Sequence, residues 1–159
     1  MIEMLRKQKE VKFTNFGTGR VLPLEDVADP VFATGRMGHG YALELEDGFI
    51  RAPFDGIVTM VFPTGHALGL THRQGMEILL HLGLDTVQLE GKGFEALVVE
   101  DQEVVQGQLL SIMDLELIEQ EGKSTVSLCL FTSGEIIELV RKYDRVTPES
   151  VDIIKCVTL

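Results

Sequence analysis

The sequence predicts an all-β fold, an antiparallel sandwich or barrel-like structure carrying one or two short helical turns. Three observations lead there. From Thr18 onward short apolar stretches, many of them alternating, are separated by glycine, proline and acidic turns. Sixteen glycines in 159 residues suit many tight turns. Helical periodicity is confined to small pieces, chiefly Leu115–Glu121 and Glu135–Arg141. The length, with 45% hydrophobic and 25% charged residues, suits one globular domain, and no low-complexity run or Pro/Gly/Ser-rich linker divides it.

Taken in order, residues 1–16 read as a flexible N-terminal segment ahead of a domain at 17–159. Met1, Ile2, Met4 and Leu5, followed by Arg6, Lys7 and Lys9, could form a short amphipathic helix in weak contact with an anionic membrane. The competing reading is a solvated, frayed tail. Tyr41, Leu43 and Leu45 alternate with Ala42, Glu44 and Glu46, after which Asp47-Gly48 turns the chain toward Phe49 and Ile50. Met76, Ile78, Leu80, Leu82 and Leu84 share one face of a strand, and Glu77, Leu79, His81, Gly83 and Asp85 share the other. The first face is core. Val126, Leu128 and Leu130 alternate with Ser127, Cys129 and Phe131 in a further strand.

Charge and composition exclude several functions. Lys and Arg number 14 against 25 Asp and Glu, a net charge of −11, which argues against a basic grip on nucleic acid. Residues 1–20 carry +3, which leaves −14 on the remainder. With no Trp and 6% aromatics, a carbohydrate-stacking cleft is also disfavoured. Two cysteines, Cys129 and Cys156, are too few for a disulfide framework or a four-thiolate zinc site. Neither a signal peptide nor a run of eighteen apolar residues occurs, so a cytoplasmic location is expected.

Met76–Asp85 is the most informative stretch. Its second face combines an imidazole with a leucine, a glycine and a carboxylate, as a half-exposed reactive site beside an apolar contact surface requires. Gly83 leaves room beside the ring for another molecule or backbone. His66, in Phe62-Pro-Thr-Gly-His-Ala-Leu68, could reach His81 through a hairpin, and the Thr64 hydroxyl is close enough in sequence to orient its ring. His39 and His72 read as structural loop residues. Three chemistries could use this set: zinc hydrolysis with His81 and Asp85 as ligands, general acid–base catalysis, and covalent catalysis in which an imidazole takes a phosphoryl group. Spacing alone does not choose among them.

Ala52-Pro-Phe-Asp-Gly-Ile-Val58, Thr64-Gly-His-Ala67, Leu80-His-Leu-Gly-Leu-Asp-Thr-Val87 and Leu89-Glu-Gly-Lys-Gly-Phe94 follow one another in order. Together they closely resemble the glucose-type enzyme IIA domain of the bacterial phosphoenolpyruvate-dependent sugar phosphotransferase system. The likeness extends over about residues 17 to 155. It implies a duplicated β-motif barrel and a phosphoryl carrier of sugar uptake that needs no organic cofactor. By that resemblance His81 matches the histidine phosphorylated on Nε2 by the carrier protein HPr, which then passes the group to a cysteine of an enzyme IIB domain. His66 matches the histidine that supports the phosphoryl oxygens, and Thr64 the residue that orients it. Asp29 and Asp85 match an acidic pair facing basic residues of the donor. Phe32, Met37, Phe62 and Leu79 match an apolar rim that receives partners, although the family more often has an aromatic residue at Leu79.

The resemblance also admits regulated permeases or kinases as partners, and zinc held by His66 and His81 at a partner interface. Between Gln74 and Gly91 there is no Lys or Arg, so His66, backbone N–H groups and the incoming carrier must offset a phosphoryl charge of about −1.5 to −2. Two other families share parts of the pattern. His81-Leu-Gly-Leu-Asp85 matches a motif of lysostaphin-type zinc peptidases, but no histidine follows His81 to complete their ligand set. Glu100–Leu110 resembles a turn of lipoyl- or biotinyl-carrier folds and would suit a non-catalytic regulatory binding module, but no lysine occupies the hairpin tip.

Overall fold

The computed structural model describes residues 11–157. The amphipathic segment suggested for residues 1–9 lies outside them. The chain runs through β1 (Gly19–Pro23), a 3-10 turn at Leu24–Asp26, α1 (Pro30–Ala33), β2 (His39–Leu45), β3 (Phe49–Arg51), β4 (Gly56–Val61), β5 (Ala67–Thr71) and β6 (Glu77–His81). After a 3-10 turn at Thr86–Leu89 come β7 (Phe94–Ala96), β8 (Glu103–Val104), β9 (Leu109–Met113), α2 (Leu115–Gln120), β10 (Ser127–Phe131), β11 (Ile136–Leu139), β12 (Arg145–Val146) and β13 (Ile154–Val157). Eight strands form one antiparallel sheet in the order β12-β1-β2-β10-β6-β5-β4-β8. β3, β9 and β7 form a second sheet, and β11 and β13 pair by themselves.

Alternation explains the packing. Tyr41, Leu43, Val58, Leu68, Leu70, Ile78, Leu80, Cys129 and Phe131 turn one face of the large sheet into a core shared with Ile50, Leu110 and Met113 from the three-stranded sheet. The opposite face is not left to water at its centre. Leu22, Ala42, Leu128 and Leu130 meet Val27, Phe32 and Leu84 in a second, smaller apolar cluster, against which Leu79 packs. Hence all five residues of β10 are buried, and their alternation separates two cores rather than core from solvent. The segment after β1, carrying α1, lies over this outer cluster.

The structure departs from the sequence-based expectation at two places. Glu135–Arg141 is not helical: its apolar residues satisfy either period, and pairing with β13 makes Ile136–Leu139 a strand whose Ile137 and Leu139 face the core. Asp47-Gly48 turns the chain toward Phe49 and Ile50 as expected, and β3 passes into the second sheet to pair with β9. The boundary at residue 16 falls too late. Phe16 is fully buried, Phe13 packs edge-on to Tyr41 and tilted against Phe131, and buried Asn15 accepts a 2.7 Å hydrogen bond from the Tyr41 hydroxyl. Among the described residues no helix is long and apolar enough to cross a membrane.

Candidate functional site

β5 and β6 form a hairpin whose turn is closed by His72 N–H donating to the Met76 carbonyl at 2.8 Å. This hairpin brings the two histidines together. His66 immediately precedes β5, His81 ends β6, and the Leu82 N–H donates to the His66 carbonyl at 2.7 Å. The imidazole centroids lie 5.3 Å apart at an interplanar angle of 77°. His81 stands in the middle of the sheet, opposite Ala67 of β5 on one side and Leu128 of β10 on the other.

Each ring is held at one nitrogen. Nδ1 of His81 is 2.8 Å from the carbonyl of Gly83, an acceptor only, so the proton resides on Nδ1 and Nε2 keeps its lone pair. Nδ1 of His66 is in hydrogen-bond contact with the Thr64 hydroxyl, which leaves its Nε2 unengaged by that bond. Burial pushes the pKa of His81 down, outweighing the upward pull of the Gly83 carbonyl and of Asp29 and Asp85. His66, only 5% exposed, is also pushed down, first by burial and then by His81. Both rings are therefore neutral near pH 7, the form in which an imidazole nitrogen is nucleophilic.

The carboxylates have distinct settings. Asp29 caps α1, its Oδ1 accepting from Val31 N–H at 2.9 Å. Asp85 is exposed and holds a left-handed backbone, φ 57°, where the chain leaves the strand. Among the described residues neither is in an ion pair. Further along the chain, Lys123 donates to Gln88 Oε1 at 2.6 Å.

The expected apolar rim divides. Met37 is exposed, and Phe62 is half-buried with its ring 5.2 Å from that of His66. Leu79 is half-buried against the outer cluster. Phe32 departs from the expectation: it is buried, 7% exposed, with its ring 4.8 Å from that of His81. It walls the His81 ring, because α1 turns it inward into the cluster that holds Leu128 and Leu130. His39 opens β2 instead of occupying a loop. His72 lies in the β5–β6 turn, its Nδ1 accepting from Gln74 N–H at 3.1 Å.

Of the two occupants the sequence allows beside Gly83, backbone is the one found. A Cβ there would lie 2.4 Å from Thr86 Cγ2 and 2.8 Å from the Ser124 carbonyl, so the space is taken by the protein itself and not by an incoming molecule. The sequence also gives no sign of Ser127, which touches this turn only because β10 pairs with β6. Cys129 is fully buried and its thiol is pushed far up by desolvation, so it offers no thiolate. Among the described residues no three His, Cys, Asp or Glu side chains converge on a point suited to a metal ion.

Residues 11–137 match the family described as phosphoenolpyruvate-dependent sugar phosphotransferase system, EIIA 1. The fold is similar to the solved structure of glucose permease IIA from Mycoplasma capricolum, with a TM-score of 0.80 and 38% identity, covering 91% of this chain and 93% of that one. The chain accordingly belongs to the EIIA 1 family and is a phosphoryl carrier of the glucose-type sugar phosphotransferase system.

Proposed function

We propose that His81 is the residue that carries the phosphoryl group, with phospho-HPr as donor and the cysteine of an enzyme IIB domain as acceptor. The family implies these two partners in general terms. The observation that carries the residue assignment is the Gly83 carbonyl at His81 Nδ1, which directs nucleophilicity to Nε2. In the first half-reaction the Nε2 lone pair bonds to phosphorus as the donor's P–N bond breaks, and that electron pair returns to the donor imidazole. In the second, a IIB thiolate bonds to phosphorus as the Nε2–P bond breaks, and the pair returns to Nε2. The Nδ1 proton stays in place throughout. His66, with the Thr64 hydroxyl donating to its Nδ1, presents Nε2–H to the phosphoryl oxygens.

Asp29 and Asp85 flank the ring and receive basic residues of the donor, while Met37, Phe62 and Leu79 form the apolar contact. Further partners, such as regulated permeases or kinases, would dock on the same face. These steps need no cofactor, and a zinc ion at a partner interface would take His66 and His81 as two ligands, with the others from the partner. The action is cytoplasmic in this reading. With phosphoenolpyruvate, enzyme I and HPr supplied, His81→Ala should acquire no acid-labile phosphate, and uptake at the normal level would overturn the assignment. In the same relay His66→Gln should accept phosphate yet pass it to IIB about 100-fold more slowly. Unchanged forward transfer would remove His66 from the mechanism.

A further inference from the structure

We infer that Ser127 is a positioning residue for His81, acting through the backbone of Gly83; its catalytic meaning rests on His81 being the phosphoryl acceptor. Between the end of β6 and the 3-10 turn at Thr86–Leu89 the chain bends at Gly83 and again at Asp85. Gly83 stands at φ 77°, where the neighbouring Thr86 and Ser124 leave no room for a Cβ. Only glycine fits, yet glycine by itself populates either sign of φ, so the conformation that aims its carbonyl at His81 must be imposed by neighbours.

Three hydrogen bonds impose it. The Leu84 N–H donates to the Ser124 carbonyl at 3.0 Å, and the Thr86 hydroxyl donates to the Leu82 carbonyl at 2.6 Å. The N–H of Gly83 itself donates to Ser127 Oγ at 3.0 Å. Ser127 is fully buried at the start of an otherwise apolar strand, where a hydroxyl is unfavourable unless bonded. Its own hydrogen goes to the Thr125 carbonyl at 3.1 Å, with Met113 Sδ more distant at 3.8 Å, so a lone pair remains for Gly83. The next residue, Leu128, is the cross-strand neighbour of His81. One strand thus seats the backbone of the reactive histidine and holds the N–H of the residue whose carbonyl sets its tautomer.

The test uses Ser127→Ala and Ser127→Thr in the full chain. Long-range 1H–15N spectra of the unphosphorylated protein should show the His81 proton on Nδ1 in wild type and a mixture of tautomers in S127A. This readout requires no phosphoryl transfer, so it can fail while the His81→Ala experiment succeeds, and the reverse. In single-turnover transfer from phospho-HPr, S127A should lose roughly 10-fold in maximal rate with the half-saturating HPr concentration unchanged, and S127T should recover it. A lower melting temperature with wild-type tautomer and rate would make Ser127 merely structural and overturn the proposal. Should S127A fail to fold, Ser127→Cys retains the volume with a weaker acceptor. It should give intermediate values in both readouts, and wild-type values there would equally overturn the proposal.

Discussion

At His81 burial opposes the carbonyl and the two carboxylates, and burial prevails. The consequence is a ring that is neutral near pH 7 and that also makes stability depend on pH. The folded ring binds its proton more weakly than the unfolded histidine, whose ordinary value is 6.5, so between the two values the unfolded chain holds more protons. This contribution is complete above the unfolded value and is lost as pH falls through the lower, folded one. His81→Gln should therefore flatten the decline of melting temperature below pH 6.5, and parallel curves for variant and wild type would contradict the assigned direction. The rate of phosphoryl acceptance should likewise hold steady from neutral pH down and fall only on the acid side of that value.

At the scale of elements, α1 shows how a piece of four residues is kept in place. Such a helix has no independent stability. Pro30 opens it, Asp29 caps it, and Phe32 anchors it in the outer cluster. Phe32→Ala should cost about 3 kcal/mol in denaturant melts, near the lower end for buried aromatics because a surface segment can partly collapse. It should also raise the His81 pKa in an NMR titration by admitting water to the ring; an unchanged melt would show that Phe32 is no anchor. Alternation was legible in β6: Met76, Ile78, Leu80 and Leu82 lie in the main core as period two requires, whereas Leu84, expected on the same face, falls in the outer cluster because the strand ends at His81. The meeting of His66 with His81 was legible only as a hairpin that could form. Ile136-Ile137-Glu138-Leu139-Val140 was not legible, since its spacing fits helix and strand alike and only the distant β13 decides. Ser127 was illegible for a related reason, because it lies 44 residues from Gly83 and nothing local couples them.

Over the whole molecule, charge is sorted. Arg20, Arg141, Lys142 and Arg145 pair with Glu44, Asp144, Glu25 and Glu46, exposed bridges worth little individually. They neutralise the neighbourhood of β1 and β12, while Asp29 and Asp85 beside His81 stay unpaired among the described residues. Association with a basic carrier should accordingly be steered by charge. Stopped-flow association rates with HPr should fall about 10-fold between low salt and 0.5 M, where the screening length has shrunk to a few ångströms. A rate indifferent to salt would exclude such steering. The sheet order has a further consequence for biosynthesis. β10 joins β2 to β6 at the centre of the large sheet although it is among the last strands to leave the ribosome. A nascent chain stalled before residue 127 has both histidines but not the strand that closes the sheet around them. Its apolar edges would stay open to chaperones and proteases, so prematurely terminated copies should be cleared instead of competing for HPr.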